Sequence, residues 1–392
     1  MIRSSLESKI YILERPHPAY PLARRYAFAP DSKPPPAKRV LNRLKESPKR
    51  AKPLLFVTVG AIILIAILAY RLHGTPFDWA LFLTTFYRVD LKWLAVSICL
   101  MLLTYVGRAL RWEVMLRPLG RKVSLRALIY DTAIGFTAIV LLGRAGEVVR
   151  PYLISIRAAV PFSSQMAAWL LERILDLLVV LLLFGFGLTH IPSQGVTLGP
   201  GLRWVLGAGG YLVAGITAAC VLFLILFRHF SEPMRKRLLG ALTFLPPKQF
   251  ERVDQMLAAF TKGMESTKDP WHLTLLVLYT VIEWLIIVAS YYALFHSFPA
   301  TAKLATADVV VFLGFVAFGS IVQIPGVGGG IQVASIVVLT EIYGMSLESA
   351  TGVAIFIWLI TFVVVVPFGL ACAFHQGINW SKLKHLPQDV PL

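Results

Sequence analysis

The chain has 392 residues, of which 57% are hydrophobic and only 15% charged, with a mean hydropathy of +0.71. This composition excludes a soluble globular protein of that size and points to an all-α polytopic membrane protein. The formal net charge is +17, but the basic residues gather between apolar runs, as Lys and Arg do on the cytoplasmic side of a membrane, which argues against nucleic acid as a partner. Cys99, Cys220 and Cys372 all fall in apolar runs, so buried inert thiols are expected rather than a disulfide framework or a zinc site, and no cofactor is implied.

Residues 1–52 carry thirteen Lys/Arg against four acids, interleaved with prolines that include Pro34, Pro35 and Pro36. They read as a disordered basic tail that holds the N-terminus in the cytoplasm and touches anionic lipid. A transmembrane domain follows over 53–375, with six full spans at 54–71, 93–113, 161–187, 203–228, 271–295 and 347–374, each close to the ~20 apolar residues a crossing needs. Two further apolar runs are broken. The first, 127–142, enters Gly143-Arg144-Ala145-Gly146-Glu147-Val148-Val149-Arg150-Pro151; the second, 307–323, enters Pro325-Gly326-Val327-Gly328-Gly329-Gly330 and resumes at 331–343.

Loop charge decides the threading. Arg117, Arg121, Lys122 and Arg126 precede the first broken run, and eight Lys/Arg lie in 228–270, so both segments belong in the cytoplasm. Residues 127–157 then enter from the cytoplasm and return to it. Residues 307–343 leave from and return to the outer face, as a shallow hairpin or as two short spans, and the short tail 376–392 lies inside. Within 231–270, Phe250, Val253, Met256, Leu257, Phe260 and Met264 recur at helical spacing, as in an amphipathic helix on the cytoplasmic leaflet. The threading makes the second half the topological inverse of the first. Broken helices at corresponding places of inverted repeats mark the site in secondary transporters.

Charge within an apolar span asks for a functional explanation, because it costs about 2.5–3.5 kcal/mol at mid-bilayer. Glu172, Arg173 and Asp176 lie in one span, with Glu172 and Asp176 four apart on one face. Arg144 or Arg150 could balance them. Glu283 has no charged neighbour in its own span and is expected to be protonated, paired across helices or facing water. Gln323 and Gln332 flank the second break and could line the same cavity.

The ordered set Arg108-Ala-Leu-Arg111-Trp112, Arg144-Ala-Gly-Glu147-Val-Val-Arg150, Glu172-Arg-Ile-Leu-Asp176 and Pro325-Gly-Val-Gly-Gly-Gly330 resembles the lysylphosphatidylglycerol synthase transmembrane family, a flippase-like integral membrane domain. The resemblance covers roughly residues 54–375. It differs in two places: Gly143 stands where the family often has proline, and Gln332-Val333 where it often has glutamate, so no titrating role carries over to that position.

The resemblance implies lipid handling. In two-part members a soluble aminoacyl-transferase domain makes a modified phospholipid and the membrane domain moves it between leaflets. This chain ends about seventeen residues after its last span and is expected to be the translocation half alone, a lipid translocase of the plasma or inner membrane and not an enzyme. Arg144, Arg150, Arg108 and Arg111 are then expected to hold a lipid phosphate. Glu147, Glu172, Arg173, Asp176 and Glu283 would form the polar or proton-carrying network. The breaks at Gly143, Gly146, Pro325, Gly326, Gly328, Gly329 and Gly330 would gate access. Membrane lipids and a lipid-synthesis partner protein are the expected partners. Two rivals remain: an accessory subunit or membrane-embedded enzyme of lipid-linked glycosyl or aminoacyl transfer, and a small-solute transporter.

Overall fold

The structure, a computed structural model, describes residues 77–193, 200–228, 232–242, 246–263, 269–320, 323–324 and 328–377. The expected tail 1–52, the span 54–71, Pro325, Gly326 and the chain beyond 377 lie outside the described residues.

Asp78 accepts hydrogen bonds from the backbone N–H groups of Ala80 and Leu81 and starts α1 (Trp79–Tyr87). Asp90 does the same for α2 (Leu91–Leu116) through Lys92 N–H at 2.8 Å, and Ser124 caps α3 (Leu125–Leu142). Each satisfies amide groups that a helix start leaves without an internal partner. A 3-10 turn, Gly143–Val148, leads into α4 (Val149–Ala158), followed by α5 (Phe162–Ser193), α6 (Pro200–Arg228), α7 (Glu232–Ala241) and α8 (Pro247–Gly263). Asp269 and Pro270 open α9 (Pro270–His296). Next come α10 (Thr306–Gly319), the two-residue strands β1 (Gln323–Ile324) and β2 (Gly328–Gly329), and α11 (Gly330–Glu341). The last span is α12 (Leu347–Ile360), a π-helical turn at Thr361–Val365 and α13 (Val366–His375). The helices α2, α5, α6, α9 and α12–α13 are long and apolar enough to cross a membrane and match the spans expected at these places.

By length and hydropathy alone, Leu125–Ala158 is also a candidate span of 34 residues, but its contacts show that the chain reverses. Arg157 Nε donates to Asp131 Oδ2 at 2.7 Å. Deeper in, a Cβ at Gly135 would lie 2.6 Å from that of Arg150, and one at Gly146 would overlap the backbone of Ala138. These pairs converge on Gly143, whose φ of 65° lies in the left-handed region that favours glycine. The second broken segment reverses in the same way. Tyr343 donates to the Asp308 carbonyl at 2.8 Å, Gly319 packs on Gly330, and Gln323 and Ile324 pair with Gly329 and Gly328 across an antiparallel turn. That ladder satisfies backbone groups that could not be left bare in hydrocarbon. The 14 and 12 residues of α10 and α11 reach only about 21 and 18 Å, short of a ~30 Å hydrocarbon core.

The two repeats, α2/α3–α4/α5 and α9/α10–α11/α12–α13, interlock. Their first spans pack antiparallel along their length, with Ser97 against Ser290, Arg108 against Glu283 and Arg111 against Thr280. Each hairpin lays its first helix on the closing span of the other repeat: α3 on α13 and α10 on α5. Both crossings use a glycine. A Cβ at Gly369 would strike Thr137, and one at Gly314 would come within 2.7 Å of the Phe184 backbone nitrogen. Each repeat keeps an apolar core, one around Trp112, Leu128, Ile154 and Leu171, the other around Phe295, Phe298, Phe312 and Val353.

Some details differ from the sequence reading. The segment at 72–92 holds the nine-residue helix α1, capped by Asp78 but too short to cross. The final span is not one α-helix: Pro367 lacks an N–H to continue the ladder, and a π turn stands just before it. Cys99 is exposed on α2, whereas Cys220 and Cys372 are buried. The amphipathic helix forms as α8 and packs against α5.

Candidate functional site

Three helices converge on one buried polar network. On α2 the spacing of Arg108, Arg111 and Trp112 puts them on one side; α5 brings Glu172 and Asp176, and α9 brings Thr280, Glu283 and Trp284. Arg111 lies at the centre, 1% exposed. Its Nη2 donates to Glu172 Oε1 at 2.5 Å, and its Nη1 to Asp176 Oδ1 at 2.8 Å and Thr280 Oγ1 at 3.1 Å. Glu172 Oε2 accepts from Trp112 Nε1 at 2.7 Å and from Arg150 Nη2, which reaches in from α4. Glu283 is paired across helices, with Oε1 2.8 Å from Arg108 Nη2 and Oε2 3.4 Å from Arg111 Nε.

Three guanidinium groups, Arg108, Arg111 and Arg150, thus meet three carboxylates, Glu172, Asp176 and Glu283. Buried charge is tolerable only when paired and hydrogen-bonded, and here the signs balance. Aromatic rings cover the cations: Arg150 lies 4.9 Å from the Trp112 ring centroid, and Arg108 lies 4.4 Å from that of Phe136.

A second cluster sits where the hairpin tips meet. Arg144 Nη1 donates to Glu147 Oε1 at 2.6 Å, and its Nη2 donates to the Ser320 carbonyl, at the end of α10, at 2.6 Å. A cation there answers a carbonyl that α10 leaves without an internal partner. Arg173 Nε lies 3.9 Å from Glu147 Oε2. The side chains of Arg144 and Arg173 are 51% and 32% exposed, against 10% for Glu147.

The residues singled out in the sequence therefore fall into two groups. Arg108, Arg111, Arg150, Glu172, Asp176 and Glu283 come together in the buried network; Arg144, Glu147 and Arg173 gather at the tips. Of the two arginines that could balance Glu172, Arg150 does so and Arg144 does not. Gln332 caps its own helix by accepting from Gly329 N–H at 2.7 Å. Gln323 pairs through its backbone. A cavity of about 210 Å³ opens beside the network, lined by α2, α3, α9, α12 and the π turn, with Arg108 as its charged wall. Sequence reading missed the Asp131–Arg157 pair, which ties the base of the first hairpin, and two residues of α9: Thr280, which accepts from Arg111, and Trp284, which donates to Asp176. Asp131 carried a readable signal as a charge in an apolar run, nearly as far before the Gly143–Gly146 turn as Arg157 is after it.

These features define a multi-pass helical membrane protein with an inverted pair of broken hairpins around a charged interior. Residues 55–369 match the family described as Lysylphosphatidylglycerol synthase TM region. The chain belongs to this family, a lipid-handling, flippase-like membrane module. The Glycosyltransferase AglD of Haloferax volcanii is 28% identical over 140 residues, covering 36% of this chain and 22% of that protein, so the chain spans about a fifth of that relative's length. No solved structure matches.

Proposed function

We propose that the protein moves an anionic, phosphate-bearing lipid headgroup between the two leaflets while the apolar chains stay in the bilayer. The observation that carries this reading is the cation pair where the hairpin tips meet, with Arg144 exposed and Arg173 half-buried: the two share the one carboxylate of Glu147. The positive charge left over suits a phosphate, whose geometry a guanidinium fork matches. Arg108, at the cavity, is a second station. Arg111 and Arg150 are covered by Glu172 and Asp176 and act by holding those carboxylates in place. In this reading both termini are cytoplasmic.

The test is the full-length chain reconstituted in phosphatidylcholine vesicles containing a headgroup-labelled anionic lipid, with a membrane-impermeant quencher outside. Quenching beyond the outer-leaflet fraction is expected, and it should slow in Arg144→Gln and Arg173→Gln. No movement by the parent, or movement by both variants as fast as the parent's, overturns the proposal. The likeness to a protein named a glycosyltransferase supports a second reading, an accessory role beside a lipid-synthesis partner protein. A new lipid product formed only when the purified chain is combined with such a partner would favour it, and product formed by the chain alone would favour a membrane-embedded enzyme.

A further inference from the structure

The cavity between the first spans of the two repeats is built for one apolar chain. Its volume of about 210 Å³ is somewhat larger than the ~150 Å³ apolar cavity that takes up a benzene molecule. That matches a segment of one alkyl or prenyl chain. Met101, Ile287, Leu294 and Ile357 supply apolar wall. Two of the cavity's hydroxyls are turned to the protein: Ser290 donates to the Ser97 carbonyl at 3.0 Å, and Thr104 donates to the Met101 carbonyl at 2.6 Å. Apolar wall with these two hydroxyls turned away favours an apolar guest over water.

One end of the cavity is different. Arg108 is its charged lining residue and lies over Phe136, which also lines it. Its Nη2 is held 2.8 Å from Glu283 Oε1, but its Nη1 lies 4.0 Å from Glu172 Oε1, beyond hydrogen-bond reach. Arg108 can therefore turn a donor toward an incoming anion.

We infer that this cavity binds a single-chain anionic amphiphile, with its first chain segment between α2 and α9 and its phosphate on Arg108. The inference rests on the lipid-handling reading above and narrows it to lipids that present one chain to the protein.

The experiment uses the full chain in phosphatidylcholine nanodiscs with a dodecyl phosphate probe carrying a mid-chain photoreactive diazirine. Labelled peptides are expected from Met101–Arg108 and Ile287–Leu294. Unlabelled dodecyl phosphate should compete at about tenfold lower concentration than dioleoyl phosphatidylglycerol, a difference of about 1.4 kcal/mol. Arg108→Gln, which removes the charge and leaves a polar amide, should lower labelling at both peptides, as should the cavity-filling Met101→Phe. Labelling confined to the outward side of α6, or equal competition by the two lipids, overturns the inference even if the variants fail to fold, because both readouts use the parent chain. Cavity labelling without lipid movement in vesicles would remove the translocase reading and leave the chain site standing. Movement with equal competition would do the reverse.

Discussion

The residues of the site differ in what their removal should do. Glu172 accepts from Arg111, Trp112 and Arg150 at once. Glu172→Gln leaves two buried guanidinium groups short of a carboxylate, and a loss of about 3–5 kcal/mol is expected from breaking such a set. The loss would be read as a lower unfolding midpoint of the detergent-solubilised chain. Arg144 is half exposed, and Arg144→Gln should shift the same midpoint by no more than about 1 kcal/mol while slowing lipid movement. If the two variants exchanged these phenotypes, the division between an interior clamp and an accessible cation pair would be wrong.

Among the elements, the glycines at helix crossings give the sharpest expectations. Gly314→Val and Gly369→Val force side chains into neighbouring helices and should cost about 1–3 kcal/mol each. A Cβ at Gly210 on α6 would meet nothing within 4 Å, so Gly210→Ala should leave stability unchanged or raise it by up to ~1 kcal/mol. Thermal unfolding of the three variants side by side checks this. The spans were legible in the sequence because hydropathy and polar caps act locally, and the hairpins because loop charge and the glycines at 143 and 328–330 forbade a simple crossing. Which charges would meet was less legible. Arg111 finds Thr280 on a helix 169 positions away, and no spacing rule within α2 announces that partner. The π turn was hidden because a run of valines before Pro367 reads as continuous helix until its packing on Thr137 is seen.

At the scale of the whole molecule, inverted topology has a labelling consequence. With α2 and α9 antiparallel and both hairpins returning to the side they left, the connection carrying α7 and α8 and the first hairpin's base at Arg157 open on one side, and Tyr343 at the second hairpin's base opens on the other. Cysteines placed at Arg157 and Lys236 in a cysteine-free chain should react with an impermeant reagent only after the membrane is opened, and one at Tyr343 should react in intact cells. The opposite pattern would reverse the threading. The exchange of hairpins between repeats also bears on biosynthesis. As the ribosome delivers the chain, α3 and α4 emerge long before α13, yet α3 packs on α13 through Thr137 and Gly369. The first hairpin can close on α2 and α5 early, but its contact with α13 forms only when the last span is inserted, so α13 acts as the closing stitch for a segment made more than two hundred residues earlier.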